Sequence, residues 1–227
     1  VQNQSINSLA INYTIDNAQT VQTLINNISP NDLTNTVNSL SAFNNRYYSV
    51  QSGVDASQWL KDYWQQLASN RADISVDYFS HSWSQSSVIV TIQGSEKADE
   101  IVIVGGNLDS INQSNPSNGR APGADDNASG IAVLSEVLRA IVDNNYQPQR
   151  TIQIMGFAAE EVGLRGSKAI ATADSFHGTN VVRLVKVDIT RNNGSSVYIV
   201  MITEYTNSCP LYTFQPPNTQ HLRYRAG

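Results

Sequence analysis

The sequence has little cysteine, little charge and no long apolar run. Its single cysteine, Cys209, excludes a disulfide within the chain and has no nucleophile motif around it, so we assign it no catalytic role. No apolar stretch reaches the roughly 18 residues that a membrane helix needs, which argues against a membrane partner. The formal net charge of -5 would repel a phosphate backbone, which argues against nucleic acid as a partner.

The remaining composition is that of a globular protein. Hydrophobic residues make up 40% and charged residues 15% of the 227 positions. A chain of this length can bury one substantial core, so we expect one globular unit. The N-terminal residues lack the basic and then apolar pattern of a signal peptide, so an exported form would have lost its signal before Val1.

Apolar periodicity predicts alternating helices and strands. The predicted helices cover 17–40, with a break at Ser29-Pro30, and then 56–67, 130–142 and 167–173. The predicted strands lie within 73–93 and over 100–106, 151–159, 181–187 and 197–202. This order predicts an α/β fold with a mixed, largely parallel twisted sheet flanked by helices. The residues after about 208 follow no period.

Carboxylates follow the ends of several predicted strands. Asp109 comes after the first buried strand, Glu160 and Glu161 after the next, Asp188 after the third, and Asp126 lies just before a helix. Ligands of an open α/β sheet bind beyond the carboxyl ends of its strands. One such acid alone is usually a surface charge or a helix cap. Several together repel one another unless a cation gathers them, so the set predicts a metal site.

A calcium site is an alternative interpretation of the loop before the helix. Residues 125, 127, 129, 130 and 136 match positions 1, 3, 5, 6 and 12 of an EF-hand loop. An EF-hand also needs a helix that enters the loop, and residues 111–123 are rich in Asn, Ser, Pro and Gly instead. We therefore treat this match as a coincidence of spacing.

Four stretches together form a specific pattern. They are Gly-Gly-Asn-Leu-Asp-Ser at 105–110, Ala-Pro-Gly-Ala-Asp-Asp-Asn-Ala-Ser-Gly at 121–130, Ala-Ala-Glu-Glu-Val-Gly-Leu-Arg-Gly-Ser at 158–167, and Val-Asp at 187–188. The pattern resembles the zinc-dependent aminopeptidases of the M28 family, and most of all their secreted bacterial leucine aminopeptidases. The resemblance covers about 28–207. It implies a zinc-dependent exopeptidase fold, a secreted protein and peptide substrates with a free N-terminus, and we expect a monomer.

The resemblance also implies a role for each acid. Two zinc ions would be bridged by Asp126, with Glu161 on one ion and Asp188 on the other. Glu160 would be the general base that takes a proton from a metal-bound water and passes it to the leaving amine. Asp109 would orient the residue at position 107. The implied activity is the release of N-terminal residues, with large apolar ones such as leucine preferred.

The chain departs from the family pattern in its histidines. Asn107 stands where the family has a histidine ligand, and an amide oxygen is a weaker ligand than imidazole. The pattern stops near 208, before the family's other histidine ligand, and His221 has a different sequence context. We expect His81 and His177 to be surface residues.

These departures predict a division of the chain and an alternative function. We expect an N-terminal extension or pro-segment remnant over 1–27, an incomplete catalytic domain over 28–207, and a divergent tail over 208–227 of the kind that reading out of frame would produce. The fold would then be truncated at its C-terminal end. The alternative function is that of a catalytically impaired chain that retains weak metal or peptide binding.

Overall fold

The computed structural model describes residues 17–190, 198–204 and 221–225. The helices are α1 (Ala18–Asn26), α2 (Pro30–Ser41), α3 (Gln51–Leu67), α4 (Gly130–Asp143) and α5 (Arg165–His177). The strands are β1 (Ile74–Phe79), β2 (Ser87–Ile92), β3 (Lys97–Asn107), β4 (Arg150–Phe157), β5 (Val181–Asp188), β6 (Tyr198–Glu204) and β7 (His221–Arg225). A kinked turn, Ala124–Ser129, leads directly into α4.

The strands form a single mixed sheet in the order β1-β2-β4-β3-β5-β6-β7. The predicted mixed α/β class with flanking helices is confirmed, and parallel pairing is confined to its centre, where β3 lies between β4 and β5. The connections between these strands contain α4 and α5, as parallel crossovers require. β1 and β2 follow each other without a helix and pair antiparallel, and β2 pairs antiparallel with β4.

Helix α2 begins where the sequence predicts a break. Ser29 is extended, its Oγ accepts a hydrogen bond from the backbone N–H of Asp32 at 3.2 Å, and Pro30 takes the first helical position. This arrangement satisfies one of the free N–H groups at the helix start. Helix α3 begins at Gln51, five residues before the predicted start, because its first turns bury small residues such as Gly53 that carry no apolar period.

The core lies on both faces of the sheet. One face packs against α2, α3 and α4, and its fully buried side chains include Leu60, Trp64, Ile131 and Leu134. The other face carries a smaller cluster around Ile103, Met155, Phe157, Ile170 and Leu184, where α5 covers it. No helix in the described ranges is both long and apolar enough to cross a membrane.

The C-terminal tail contributes one strand that the sequence did not predict. β7 pairs antiparallel with β6, which in turn pairs antiparallel with β5. An edge strand of five residues is too short to reveal an apolar period. Cys209 and the side chain of His221 lie outside the described part of the structure, so their predicted roles stay untested.

Candidate metal centre

Three neighbouring strands end at the same edge of the sheet. β3 ends at Asn107, β4 at Phe157 and β5 at Asp188, and Asn107 is the register partner of Phe157. The turn Ala124–Ser129 reaches the same edge, because Asp126 contacts Asn107 there. The glycines that end β3 have a steric reason: a Cβ on Gly106 would lie 3.0 Å from both Asn127 Nδ2 and the backbone oxygen of Val187.

Asn107 forms the buried floor of this edge. Its side chain is fully buried, and its Nδ2 donates to Asp126 Oδ1 at 3.3 Å. Its Oδ1, the atom that would bind a metal ion, accepts a hydrogen bond from Asn127 Nδ2 at 2.9 Å. The amide of Asn107 is therefore oriented by Asp126 and Asn127. Any ion at Asn107 Oδ1 would share that oxygen with the donor from Asn127.

Asn127 joins three elements of the site. Besides Asn107, its Nδ2 donates to the Val187 oxygen of β5 at 3.0 Å. Its Oδ1 accepts from the backbone N–H of Gly130 at 3.1 Å and of Ile189 at 3.3 Å. Sequence reasoning gave Asn127 no role at the metal site, although an asparagine just before a helix start is a capping signal. Its bonds fix the position of the turn relative to both strand ends.

Asp109 binds the backbone of the two glutamates. It is fully buried, and it accepts from the backbone N–H of Glu160 at 2.8 Å and of Glu161 at 3.2 Å, one on each carboxylate oxygen. The amide of Asn107 is bound by Asp126 and Asn127, so the expected orientation of residue 107 by Asp109 stays a prediction. Burial raises the pKa of Asp109 to about 7, against the lowering effect of the two hydrogen bonds.

Glu161 lies among carboxylates. Burial raises its pKa to about 7, and the negative charges of Asp126, Asp109, Glu160 and Asp188 add to that rise. Each of these groups disfavours the ionised form of Glu161, so a cation placed among them would relieve the repulsion. The predicted acids are therefore electrostatically one cluster.

Lys186 is a member of this site that sequence reasoning missed. Its Nζ lies 2.8 Å from Glu160 Oε1 and 3.0 Å from Asp188 Oδ2, so one ammonium group binds both carboxylates. Burial lowers the pKa of Lys186, but Asp188 and Glu160 outweigh that effect and the pKa is raised. A signal existed in the sequence, because residues 186 and 188 point to the same face of one strand.

The donor chemistry of the site suits a hard divalent cation. Asp188 Oδ1 is buried and has no hydrogen-bond partner, which leaves an acceptor available. No three His, Cys, Asp or Glu side chains already converge on one point within the described ranges. Asp126 is exposed, so its side chain has room to turn toward Glu161. Asp126 and Glu161 could hold such an ion, with Asn107 beside them.

Arg46 binds the loop that leads from β3 to the turn Ala124–Ser129. It is fully buried, and its guanidinium donates to the backbone oxygens of Leu108 at 2.7 Å, Pro122 at 2.5 Å and Gly123 at 3.0 Å. Burial lowers the pKa of Arg46 to about 10, and the charges of nearby acids partly oppose that shift. The loop between β3 and the turn is thus held at both of its ends by one side chain.

The structure contradicts the calcium-site interpretation. Glu136 faces the protein interior with 2% of its surface exposed, where it binds Arg139 at 2.8 Å and accepts from the Ser29 N–H at 2.7 Å. The preceding residues 111–123 contain no helix. The EF-hand interpretation is therefore wrong, because its twelfth ligand is committed to an ion pair.

The histidines differ from one another in burial. His177 is exposed at the end of α5, as expected. His81 is not a simple surface residue, because its ring stacks on Trp83 with centroids 4.3 Å apart and its Nε2 pairs with Ser87 Oγ at 2.8 Å. This burial lowers the pKa of His81 to about 4.

Comparison with known proteins identifies the family of the chain. The family model of peptidase family M28 matches residues 87–220, more than half of the chain. The chain belongs to peptidase family M28. The match includes the strands and turns that carry Asn107, Asp126, Glu160, Glu161 and Asp188.

Individual M28 relatives show the same likeness. The chain is 35% identical over 216 residues to "Probable leucine aminopeptidase 1" of the fungus Trichophyton verrucosum, an alignment that covers 88% of this chain and 57% of that protein. Among solved structures, LapB of Legionella pneumophila has a TM-score of 0.73 at 28% identity, over 82% of this chain and 50% of that one.

A more distant structure shares the fold alone. A Zn-dependent exopeptidase of Parabacteroides distasonis has a TM-score of 0.60 at 15% identity, over 75% of this chain and 64% of that one. The chain spans about half the length of the curated relatives it matches.

Proposed function

We propose that this chain is the site-bearing part of a metal-dependent aminopeptidase that releases N-terminal residues from peptides, with leucine-like residues preferred. The observation that carries the proposal is the binding of both Glu160 and Glu161 backbones by the buried Asp109. Lys186 links Glu160 to Asp188 at the same strand ends, which supports a site that contains both glutamates. The names of the relatives support the substrate class. The proposed protein is a secreted monomer.

The metal site of this proposal consists of oxygen donors. Asp126 would bridge the metal positions, Glu161 and Asp188 would each bind at one of them, and Asn107 would contribute its amide oxygen. A zinc ion there would acidify a water and hold the free amino terminus of the substrate. Two zinc ions are the number that resemblance to the family implies.

Glu160 would be the general base. Glu160 and Glu161 begin a turn in which the Glu160 oxygen accepts from the N–H groups of Gly163 and Leu164. In this proposal Glu161 would face a metal and Glu160 would face the substrate. Lys186 binds Oε1 of Glu160, which leaves Oε2 as the atom that would accept the proton. The same carboxyl group would then deliver that proton to the nitrogen of the leaving amine.

A second candidate function has its own observation. Lys186 binds Glu160 and Asp188 together, and so competes with their catalytic and metal-binding roles. Asn107 also shares its oxygen with Asn127. These contacts support an impaired chain that binds metal or peptide weakly and does not turn over.

One experiment separates the two. The purified chain is supplied with zinc, and the release of leucine from a chromogenic amide is measured for the wild type, Glu160→Gln and the control Glu96→Gln. Glu96 is exposed at the opposite end of β3. Turnover that Glu160→Gln removes and Glu96→Gln retains supports the aminopeptidase. Bound zinc without turnover supports the impaired chain and overturns the first proposal.

The division of the chain is also a proposal. Residues 28–207 would form the catalytic part, with 1–27 outside it and 208–227 as a divergent tail. Contacts across the first boundary argue for a close association, because Asn27 Nδ2 donates to Asn144 Oδ1 at 2.8 Å. Limited proteolysis tests the boundary, since cleavage confined to positions before 28 would leave a folded core.

A further inference from the structure

The most unusual contact at the site is the ammonium group of Lys186 between two acids. We propose that Lys186 is a built-in cation that takes the place of one metal ion, so that the chain holds a single divalent ion on the side of Asp126 and Glu161. The inference rests on the Asp126 and Glu161 position of the proposed metal site, and it replaces the metal position at Asp188 with the ammonium group.

The geometry of Lys186 is that of a bridging ion. Its Nζ is 2.8 Å from Glu160 Oε1 and 3.0 Å from Asp188 Oδ2, both within hydrogen-bond range. About a fifth of each of the three side chains is exposed, so the contact is shielded from water. A mobile surface lysine would not be held in this way.

The position of Lys186 in the fold makes the contact persistent. The residue lies in β5, where Gly105 of the central strand β3 is its parallel register partner and Ile202 of β6 pairs with it on the other side. Its backbone is therefore fixed from both sides, and its side chain shares the sheet face of Asp188. Because β5 is not an edge strand, a backbone movement confined to an edge strand would not take the ammonium group out of the site.

The charges at the site favour one ion. The negative charges of Asp126, Asp109, Glu160 and Asp188 all act on Glu161, although no three acids converge on one point in the described part of the chain. Lys186 already neutralises part of this charge at Glu160 and Asp188. A divalent ion bound to Asp188 would lie within a few ångströms of the ammonium group and be repelled by it. An ion bound to Asp126 and Glu161 would avoid the two carboxylates that Lys186 holds.

The inference makes a prediction about metal count that does not depend on turnover. Zinc per chain is measured by elemental analysis after equilibration at a fixed, buffered free zinc concentration. The variants are Lys186→Gln and Lys186→Met, which remove the charge, Lys186→Arg, which keeps it, and Lys97→Gln as a control. Lys97 is exposed at the start of β3, far from the strand ends.

The expected result is one additional zinc ion per chain in Lys186→Gln and Lys186→Met relative to the wild type. Lys186→Arg and Lys97→Gln should match the wild type. Two zinc ions in the wild type would overturn the inference, even if the neutral variants failed to fold. Folded neutral variants with no additional zinc would overturn it as well, and thermal unfolding of each variant shows which are folded.

The zinc content and the proposed activity can be tested independently of each other. Leucine release is assayed on the same samples. A gain of zinc without turnover supports the role of Lys186 and counts against the aminopeptidase. Turnover by a wild type that carries two zinc ions supports the aminopeptidase and overturns the role of Lys186.

Discussion

Replacement of the buried Arg46 should destabilise the fold and the site loop together. Its guanidinium binds four backbone oxygens, because Leu40 also accepts from it at 3.1 Å in addition to Leu108, Pro122 and Gly123. Arg46→Met keeps much of the apolar stem and removes every one of these donors. The oxygens of Leu40 and Leu108 lie in buried residues and would lose their donor there.

The expected loss in the free energy of unfolding combines two opposing contributions. Hydrogen bonds from a charged donor contribute about 1.5 kcal/mol or more each, so four of them amount to roughly 6 kcal/mol. Burial of the charge opposes this gain, and the lowering of the pKa to about 10 corresponds to a cost of roughly 3 kcal/mol. Arg46→Met should therefore lower the free energy of unfolding by about 3 kcal/mol. That value agrees with the cost of breaking other buried charge contacts, which is about 3–5 kcal/mol.

Equilibrium unfolding in urea provides the assay, with Arg46→Lys and Arg120→Met as companions. Lysine keeps the charge but cannot reach four oxygens from one compact group, so we expect it to lose about half as much stability. Arg120 is exposed, and its replacement should change stability by less than about 0.5 kcal/mol. A loss below about 1 kcal/mol for Arg46→Met, or full recovery by lysine, would refute the reasoning.

Three further predictions concern the support around the site. Trp64→Phe removes the 2.9 Å hydrogen bond from Nε1 to Ser135 Oγ and some buried volume. We expect it to lower the free energy of unfolding in urea by about 2 kcal/mol. An unchanged free energy would contradict the packing of α3 on α4. Gly166→Ala puts a Cβ 2.1 Å from the Ala158 oxygen and should cost about 3 kcal/mol in thermal unfolding, whereas unchanged stability would show that this approach is looser. His81 has its pKa lowered by burial from 6.5 to about 4, so the unfolded chain takes up a proton first as the pH falls. The free energy of unfolding should be highest above about pH 6.5 and fall by about 1–2 kcal/mol toward pH 4. A His81→Gln variant with the same pH profile would exclude His81 as the cause.

The strand ends of the site could be predicted because their signals are local. The run 100–106 is apolar and β-branched and ends in glycines, which indicates a buried strand without knowledge of its neighbours. The rule for ligands at strand ends then gave Asp109, Glu160, Glu161 and Asp188 as candidates, and the resemblance to the family implied Asp126, Glu161 and Asp188 as the metal ligands.

The partners of these acids could not be predicted in the same way. Lys186 meets Glu160 only because β5 lies two strands from β4 across β3, and no local pattern gives that order. The complete burial of Arg46 depends on where the loop after β3 passes. The antiparallel edge of the sheet was also not apparent, because an apolar strand does not reveal the direction of its neighbour.

The hydrogen bonds of Asn127 restrict any attempt to rebuild the family's ligand at position 107. Asn127 donates to Asn107 Oδ1 and also binds the backbone on either side of Asp188, through Val187 and Ile189. A histidine at 107 would have one acceptor nitrogen, and a metal ion and the Asn127 amide would compete for it. Restoring that histidine alone would thus leave one of the two N–H bonds of Asn127 Nδ2 unpaired when a metal ion is bound, while the other keeps the Val187 oxygen. A functional reversion would require a matched change at 127 that preserves its contacts to both backbone segments.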